Sequence, residues 1–206
     1  MNEFDSKAAA WDNNPMHWDR SKAIADEIRK RIPLDKRMKA LEFGAGTGIA
    51  SFILKDFVGE ITLMDNSSEM IRVIKEKIES TKVTNLASLN FDLEHNDLKG
   101  SSGFDLIFTQ MVLHHVDDVE AIFAKFGRLL KPAGYLAIAD LYEEDGSFHG
   151  DGFTGHKGFD PEYLATILSK NKFRNITHNT CFIIDREVSE SEARHYPVFL
   201  ITASRH

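Results

Sequence analysis

The chain has 206 residues, of which 42% are hydrophobic and 28% charged. That suits one globular domain with a full core and argues against disorder. Its 25 Lys and Arg against 32 Asp and Glu leave a net charge of −7, which disfavours general affinity for nucleic acid phosphates or anionic lipid. Cys181 is the single cysteine, so an intrachain disulfide and a cysteine-built zinc site are excluded. The first residues lack a basic n-region and an apolar h-region, and no run approaches the roughly 18 apolar residues of a membrane span. The expectation is a soluble, cytoplasmic protein with no membrane or nucleic acid partner.

Ile24, Ile28 and Ile32 recur every four residues and Pro33 ends that helix, so residues 1–33 are expected to form a helical cap. From Lys39 onward, short apolar runs alternate with segments of helical length, the pattern of an α/β protein with a largely parallel sheet. The runs are Ala40–Phe43, Ile61–Met64, Ala87–Phe91, Leu106–Phe108 and Tyr135–Ala139. The first ends in glycines and the other four end at Asp65, Asp92, Thr109-Gln110 and Asp140. Ligands of open α/β sheets bind at strand carboxyl ends, so these endpoints are the first place to look for a site.

Between the runs, Asn66-Ser67-Ser68-Glu69 resembles a capping box ahead of Met70, Ile71, Ile74 and Ile78. Asp117-Asp118 opens a second helix, which Lys131-Pro132 stops, and Asp160-Pro161 opens a third. Ile176–Ile184 and Tyr196–Ala203 read as an antiparallel pair at a sheet edge, separated by a polar stretch. Five glycines fall between Gly146 and Gly158, with His149 and His156 among them. The expected whole is a Rossmann-like α/β fold: a seven-stranded, mostly parallel sheet with an antiparallel C-terminal pair, helices on both faces and an N-terminal helical cap. It divides into the cap (1–33), a cofactor-binding core (34–140), a substrate-side loop (141–159) and a C-terminal helix with edge strands (160–206).

The turn Gly44-Ala45-Gly46-Thr47-Gly48 joins the first strand to an apolar helix starting at Ile49. Such glycines let a ligand approach the backbone at a helix N-terminus. Asp65 stands 21 residues after Gly44 at the end of the next strand, the placement of a carboxylate that accepts ribose hydroxyls. The dinucleotide fingerprint fails, however, because the third glycine comes one residue early and Ile49 fills a position that needs a small residue. Glu42 beside the turn suits a cofactor that carries positive charge. These features point away from NAD and towards a sulfonium or amino-acid-bearing nucleoside.

Glu42-Phe43-Gly44-Ala45-Gly46-Thr47-Gly48 resembles motif I of class I S-adenosylmethionine-dependent methyltransferases. Phe104-Asp105-Leu106-Ile107 with Val112-Leu113-His114-His115-Val116 resembles that family's fourth-strand segment, and Leu129–Leu136 its turn into strand five, with Ala133 in place of a glycine. The combination, from Leu41 to Asp140, has the flavour of the UbiE-like small-molecule branch. The resemblance implies that Gly44, Ala45 and Gly46 pass beneath the methionine part, with Glu42 and Gly48 also among the cofactor-binding residues. It places Asp65 on the ribose, Asn66 beside the adenine, Asp92 and Leu93 on the adenine amino group, and Thr109 and Gln110 near the sulfonium. Trp11 is expected in a lid over the cleft. The product would be S-adenosylhomocysteine.

Methyl transfer from a sulfonium asks mainly for alignment and exclusion of water, with a base only for a weakly acidic acceptor. His114, His149 and His156 are the catalytic candidates, with the His114-His115 dipeptide also suited to a structural or cofactor-side role. No metal-ligand cluster stands out, so no metal is expected. The reading is transfer to a small-molecule acceptor by a monomer or homodimer. The alternatives are a non-catalytic S-adenosylmethionine- or S-adenosylhomocysteine-binding protein and an RNA or protein methyltransferase. The Asn/Asp-Pro-Pro-Tyr type motif of nucleic acid amino-methylating enzymes is missing, since Thr109-Gln110-Met111-Val112 stands there.

Overall fold

A computed structural model describes residues 4–98, 103–189 and 192–206. The first helix, α1 (Pro15–Arg31), starts where Asn14 accepts a hydrogen bond from the Met16 amide and Pro15 presets the first turn. The core then runs β1 (Lys39–Phe43), α2 (Ile49–Leu54), β2 (Glu60–Asp65), α3 (Ser68–Thr81), β3 (Leu86–Asn90), β4 (Phe104–Gln110), α4 (Val119–Leu129), β5 (Leu130–Leu141), α5 (Pro161–Lys170), β6 (Phe173–Ser189) and β7 (Glu192–Arg205). Ser67 caps α3, Asp118 caps α4 and Asp160 caps α5. The cap of α3 is thus Ser67 rather than Asn66, so Glu69 falls one position short of the box.

The seven strands form one sheet in the order β3-β2-β1-β4-β5-β7-β6. The five strands β1 to β5 pair in parallel and β7 runs antiparallel to both β5 and β6. The expected antiparallel pair is present, with β7 slotted between β5 and β6. It also extends further than its apolar runs indicate. Pairing continues through Asp185↔His195 and Arg186↔Arg194, because backbone hydrogen bonds sustain a hairpin arm whose polar side chains face water.

Both faces of the central strands are covered, so successive residues feed opposite cores. Leu106 and Phe108 join the cluster that holds Ile24, Ile28, Leu54 and Ile74, whereas Ile107 joins that of Phe123, Phe126 and Leu168. Helix α1 therefore belongs to the body of the molecule. The segment ahead of it, from Phe4 through the short 3-10 turn Ala8–Asn13, lies over the strand ends. Residues 1–3 of the expected cap are outside the described residues. No helix among them is long and apolar enough to cross a membrane.

Candidate active site

The strand order reverses between β1 and β4, and a cleft opens there at the carboxyl ends of the strands. Its walls come from three adjacent strand ends, Phe43 of β1, Asp65 of β2 and Gln110 of β4, and from the loop carrying Asp92 and Leu93. Gly44, Ala45 and Gly46 form its floor. Gly44 has φ +66°, and a Cβ there would lie 2.4 Å from Val112, so the turn closes tightly only with glycine. Gly46 has φ +55° with no heavy atom within 4 Å of the place a Cβ would take. Between them the two leave room for a ligand to lie on the backbone.

Asp65 fixes this turn. One carboxylate oxygen accepts from the Gly46 amide at 2.7 Å and the other from the Ser67 amide at 2.8 Å. Burial raises its pKa above the usual carboxylate range, against the pull of those amides. The segment before α1 is tied to the same turn. Thr47 donates to Asp12 at 2.5 Å, Lys77 donates to the other Asp12 oxygen at 2.7 Å, and Ser67 donates to Asp5 at 2.7 Å. Trp11 is thereby held over the cleft, stacked on His17 with centroids 4.3 Å apart.

Most of the residues expected at the cofactor do line this cleft: Trp11, Gly44, Ala45, Gly46, Asp65, Asn66, Asp92, Leu93 and Gln110. Three do not. Glu42 is fully buried behind the turn, where it accepts from Ser51 Oγ, and desolvation pushes its pKa up to about 8. Burial thus disfavours its charged form, and its side chain lies behind the turn and outside the cleft. Thr109 is 2% exposed, with its hydroxyl turned into the core. Gly48 is the N-cap of α2 at φ +83°, and a Cβ there would strike Leu63 at 2.5 Å.

A second and larger cavity, about 1050 Å³, adjoins the first. Phe4, Trp11, Arg20, Met111 and His115 line both. His114 and His149 line the second only, together with Phe153 and the β6 arm from Ile184 to Glu187. The His114 Nδ1–H donates to Asp140 at 2.6 Å, and its amide donates to the same carboxylate at 3.2 Å. His114 sits in the short 3-10 turn Leu113–His115 just beyond β4, and Asp140 lies near the end of the neighbouring β5. Burial and the neighbouring imidazoles lower the pKa of His115 to about 3 and of His149 to about 4. His156 lines neither cavity: its amide donates to the His114 carbonyl at 2.8 Å and its ring nitrogen meets the Val116 carbonyl at 3.0 Å.

Three contributors have no signal in the sequence. Arg20 is 6% exposed in α1, and its Nε has no hydrogen-bond partner among the described residues. Burial lowers its pKa to about 10, which leaves it charged. Ser21 beside it accepts from Gln110 at 3.0 Å. Met111 holds a left-handed backbone, φ +54°, where the two cavities meet. Helical periodicity would have placed Arg20 only on a helix and not in a cleft.

Residues 41–138 match the methyltransferase domain family. The fold is that of the class I S-adenosylmethionine-dependent methyltransferases. That family's cofactor is S-adenosylmethionine, and the open floor at Gly46, the carboxylate of Asp65 and the unpartnered Arg20 Nε fit such a group. An uncharacterized methyltransferase of Schizosaccharomyces pombe is 29% identical over 153 residues, covering 67% of this chain and 54% of that protein. A polyketide synthase-nonribosomal peptide synthetase of Aspergillus clavatus is 33% identical over 182 residues, 75% of this chain and 4% of the synthetase. The chain thus spans about half of the yeast protein and a small part of the synthetase. Among solved structures, a methyltransferase in complex with the Haloferax volcanii Trm112 methyltransferase activator superposes with TM-score 0.79 at 18% identity, covering 100% of this chain and 99% of that one. Phosphoethanolamine N-methyltransferase 2 of Haemonchus contortus superposes with TM-score 0.73 at 16% identity, covering 91% and 52%.

Proposed function

We propose that this protein transfers a methyl group from S-adenosylmethionine to a small-molecule acceptor seated in the second cavity. The observation that carries the reading is the wall the two cavities share, formed by Phe4, Trp11, Arg20, Met111 and His115. It allows a nucleoside cofactor on one side and an acceptor on the other to meet end to end under the same aromatic lid. When bound, the cofactor supplies a methyl group already activated on a sulfonium sulfur.

The residues of the chain then have the task of holding and aligning. Asp65 accepts the ribose hydroxyls, Asn66, Asp92 and Leu93 border the adenine, and the Gly44–Gly46 backbone and Gln110 border the methionine end. Arg20, a buried cation with an unsatisfied N–H, holds the carboxylate of that end. Trp11 and Phe4 exclude water from the junction. His114 and His149 face the acceptor, and Asp140 acts as a positioning residue through His114. His156 braces the turn that carries His114. The net charge of −7 favours a small acceptor over RNA.

The test is calorimetric titration with S-adenosylhomocysteine and, separately, with NAD. The homocysteine compound is expected to bind. Charge-assisted hydrogen bonds contribute about 1.5–3 kcal/mol each, so Asp65→Ala should weaken binding roughly 100-fold or more, and Asp65→Asn by less. Binding of NAD in its place would overturn the reading. Formation of S-adenosylhomocysteine on incubation with pooled metabolites, but not with RNA, would support the acceptor class, and the reverse would overturn it.

A further inference from the structure

The second cavity contains a cluster whose chemistry goes beyond alignment. His114, His115 and His149 each present a ring nitrogen, and the three lie within 4.8 Å of one another. Their ring centroids are 4.3 Å apart for His114 and His115, 4.9 Å for His114 and His149, and 5.5 Å for His115 and His149. Three imidazoles this close repel one another as cations and gather naturally around one.

We propose that His114, His115 and His149 form a three-histidine site for a divalent transition metal ion of the zinc class. The site is inferred from the histidines alone and does not depend on the methyl-transfer reading.

Two further observations fit this site. Asp140, itself fully buried, accepts from His114 Nδ1 at 2.6 Å, from the His114 amide at 3.2 Å and from the Leu141 amide at 2.7 Å. That bond holds the ring with Nδ1 on the carboxylate and Nε2 directed away from it, the carboxylate–histidine arrangement that orients metal ligands. In addition, His149 Nε2 is buried with no hydrogen-bond partner among the described residues, a cost that a bound ion removes.

The donor set also selects the ion. Imidazole nitrogens suit zinc, iron, cobalt and nickel, whereas magnesium and calcium require oxygen ligands, and this trio has none. Zinc sits about 2.0–2.1 Å from each imidazole nitrogen, which places tetrahedral ligands about 3.4 Å apart. Closing from 4.8 Å therefore asks for a shift of roughly 1.5 Å. His149 can supply it, because its loop contains Gly146, Gly150 and Gly152 at φ +96°, +81° and +91°. Three protein ligands leave a fourth position open, as in catalytic rather than structural zinc sites, and here it faces the cavity assigned above to the acceptor. A hydroxyl or thiol bound there would be held more acidic than in water.

The test uses the full chain, treated with chelator and titrated with Co²⁺ while the visible d–d bands are followed, and with Zn²⁺ by calorimetry. One equivalent per chain is expected, with a spectrum of nitrogen ligation. His149→Ala and His115→Ala should each weaken uptake at least tenfold. Asp140→Asn should weaken it by about 10–100-fold, as loss of an outer-shell partner does. His178→Ala, on an exposed histidine paired with Glu162, should leave it unchanged. No saturable uptake of either ion, or uptake that His149→Ala leaves intact, would overturn the site. Binding of S-adenosylhomocysteine is read separately, so failure of the metal site leaves the cofactor assignment standing.

Discussion

Glu42 places a carboxyl in the core directly behind the ligand-binding turn, with the Ser51 hydroxyl for company and its second oxygen unpartnered among the described residues. Burial raises its folded pKa to about 8 from the usual 4.5, so between those values the folded chain holds a proton that the unfolded chain releases. Stability from this group is complete below about pH 4.5 and declines as pH rises towards 8. Glu42→Gln keeps the shape and removes the titration. The variant and the parent should unfold with nearly equal free energy at pH 5, and by pH 8 the variant should be more stable, by on the order of a few kcal/mol at most. Denaturant titrations at the two pH values check this, and a pH-independent difference would mean that Glu42 is ionised in the fold. The sequence places a carboxylate beside the turn but cannot tell whether it faces the ligand or the core. The deciding factor is Ser51, nine positions on, one turn into a helix that packs against the strand.

The irregular start of β5, where its register against β4 shifts, holds one residue that opposes its backbone. Ala133 has φ +62°, a left-handed conformation that costs an L-residue about 1–2 kcal/mol. Ala133→Gly relieves it but gives back about 0.4–1 kcal/mol through a freer unfolded chain, so a net gain of up to about 1 kcal/mol is expected. At the next position the sign reverses. A Cβ on Gly134 would stand 2.9 Å from the Lys131 carbonyl and 3.2 Å from that of Phe104, so Gly134→Ala should lose more than 1 kcal/mol. Urea midpoints of the two variants, one raised and one lowered, check the pair. At the same scale, the strands and their polar endpoints are legible in the sequence because a doubly covered strand is a short apolar run, and Asp65 and Gln110 at such ends line the cleft. The cleft from Gly44 to Gln110 followed from that. The histidine trio did not follow, because His149 comes from a glycine-rich loop with no periodicity and meets His114 only when β4 and β5 lie side by side. Nor did the β6 arm, whose charged residues read as a loop although backbone pairing carries them onward as strand.

For the molecule as a whole, the expected cap of residues 1–33 separates into two parts with different tasks. Helix α1 buries Ile24, Ala25 and Ile28 against the sheet, with Ile32 just beyond its end, all at 2% exposure or less. Each fully buried isoleucine contributes about 1.5–3 kcal/mol, and three of them approach the roughly 5–15 kcal/mol by which a domain of this kind is stable. The segment ahead of α1 contributes little to that core, since Ala8 is its one buried apolar residue among those described. Its links go instead to the ligand-binding turn, through Asp12 to Thr47 and Lys77 and through Asp5 to Ser67. Removal of residues 1–14 is therefore expected to leave cooperative unfolding with a midpoint within several degrees of the parent, while affinity for S-adenosylhomocysteine falls at least tenfold through loss of the Trp11 and Phe4 wall. Removal of residues 1–33 should abolish the cooperative transition. Thermal unfolding and calorimetry on the two shortened chains distinguish these tasks. If the shorter deletion kept full affinity, the segment would be packing rather than lid; if it lost the fold, the Asp12 and Asp5 links would carry stability and not only closure. The division explains why binding and folding can respond differently to changes at this end: one helix holds the sheet, and the dozen residues before it hold the ligand side shut.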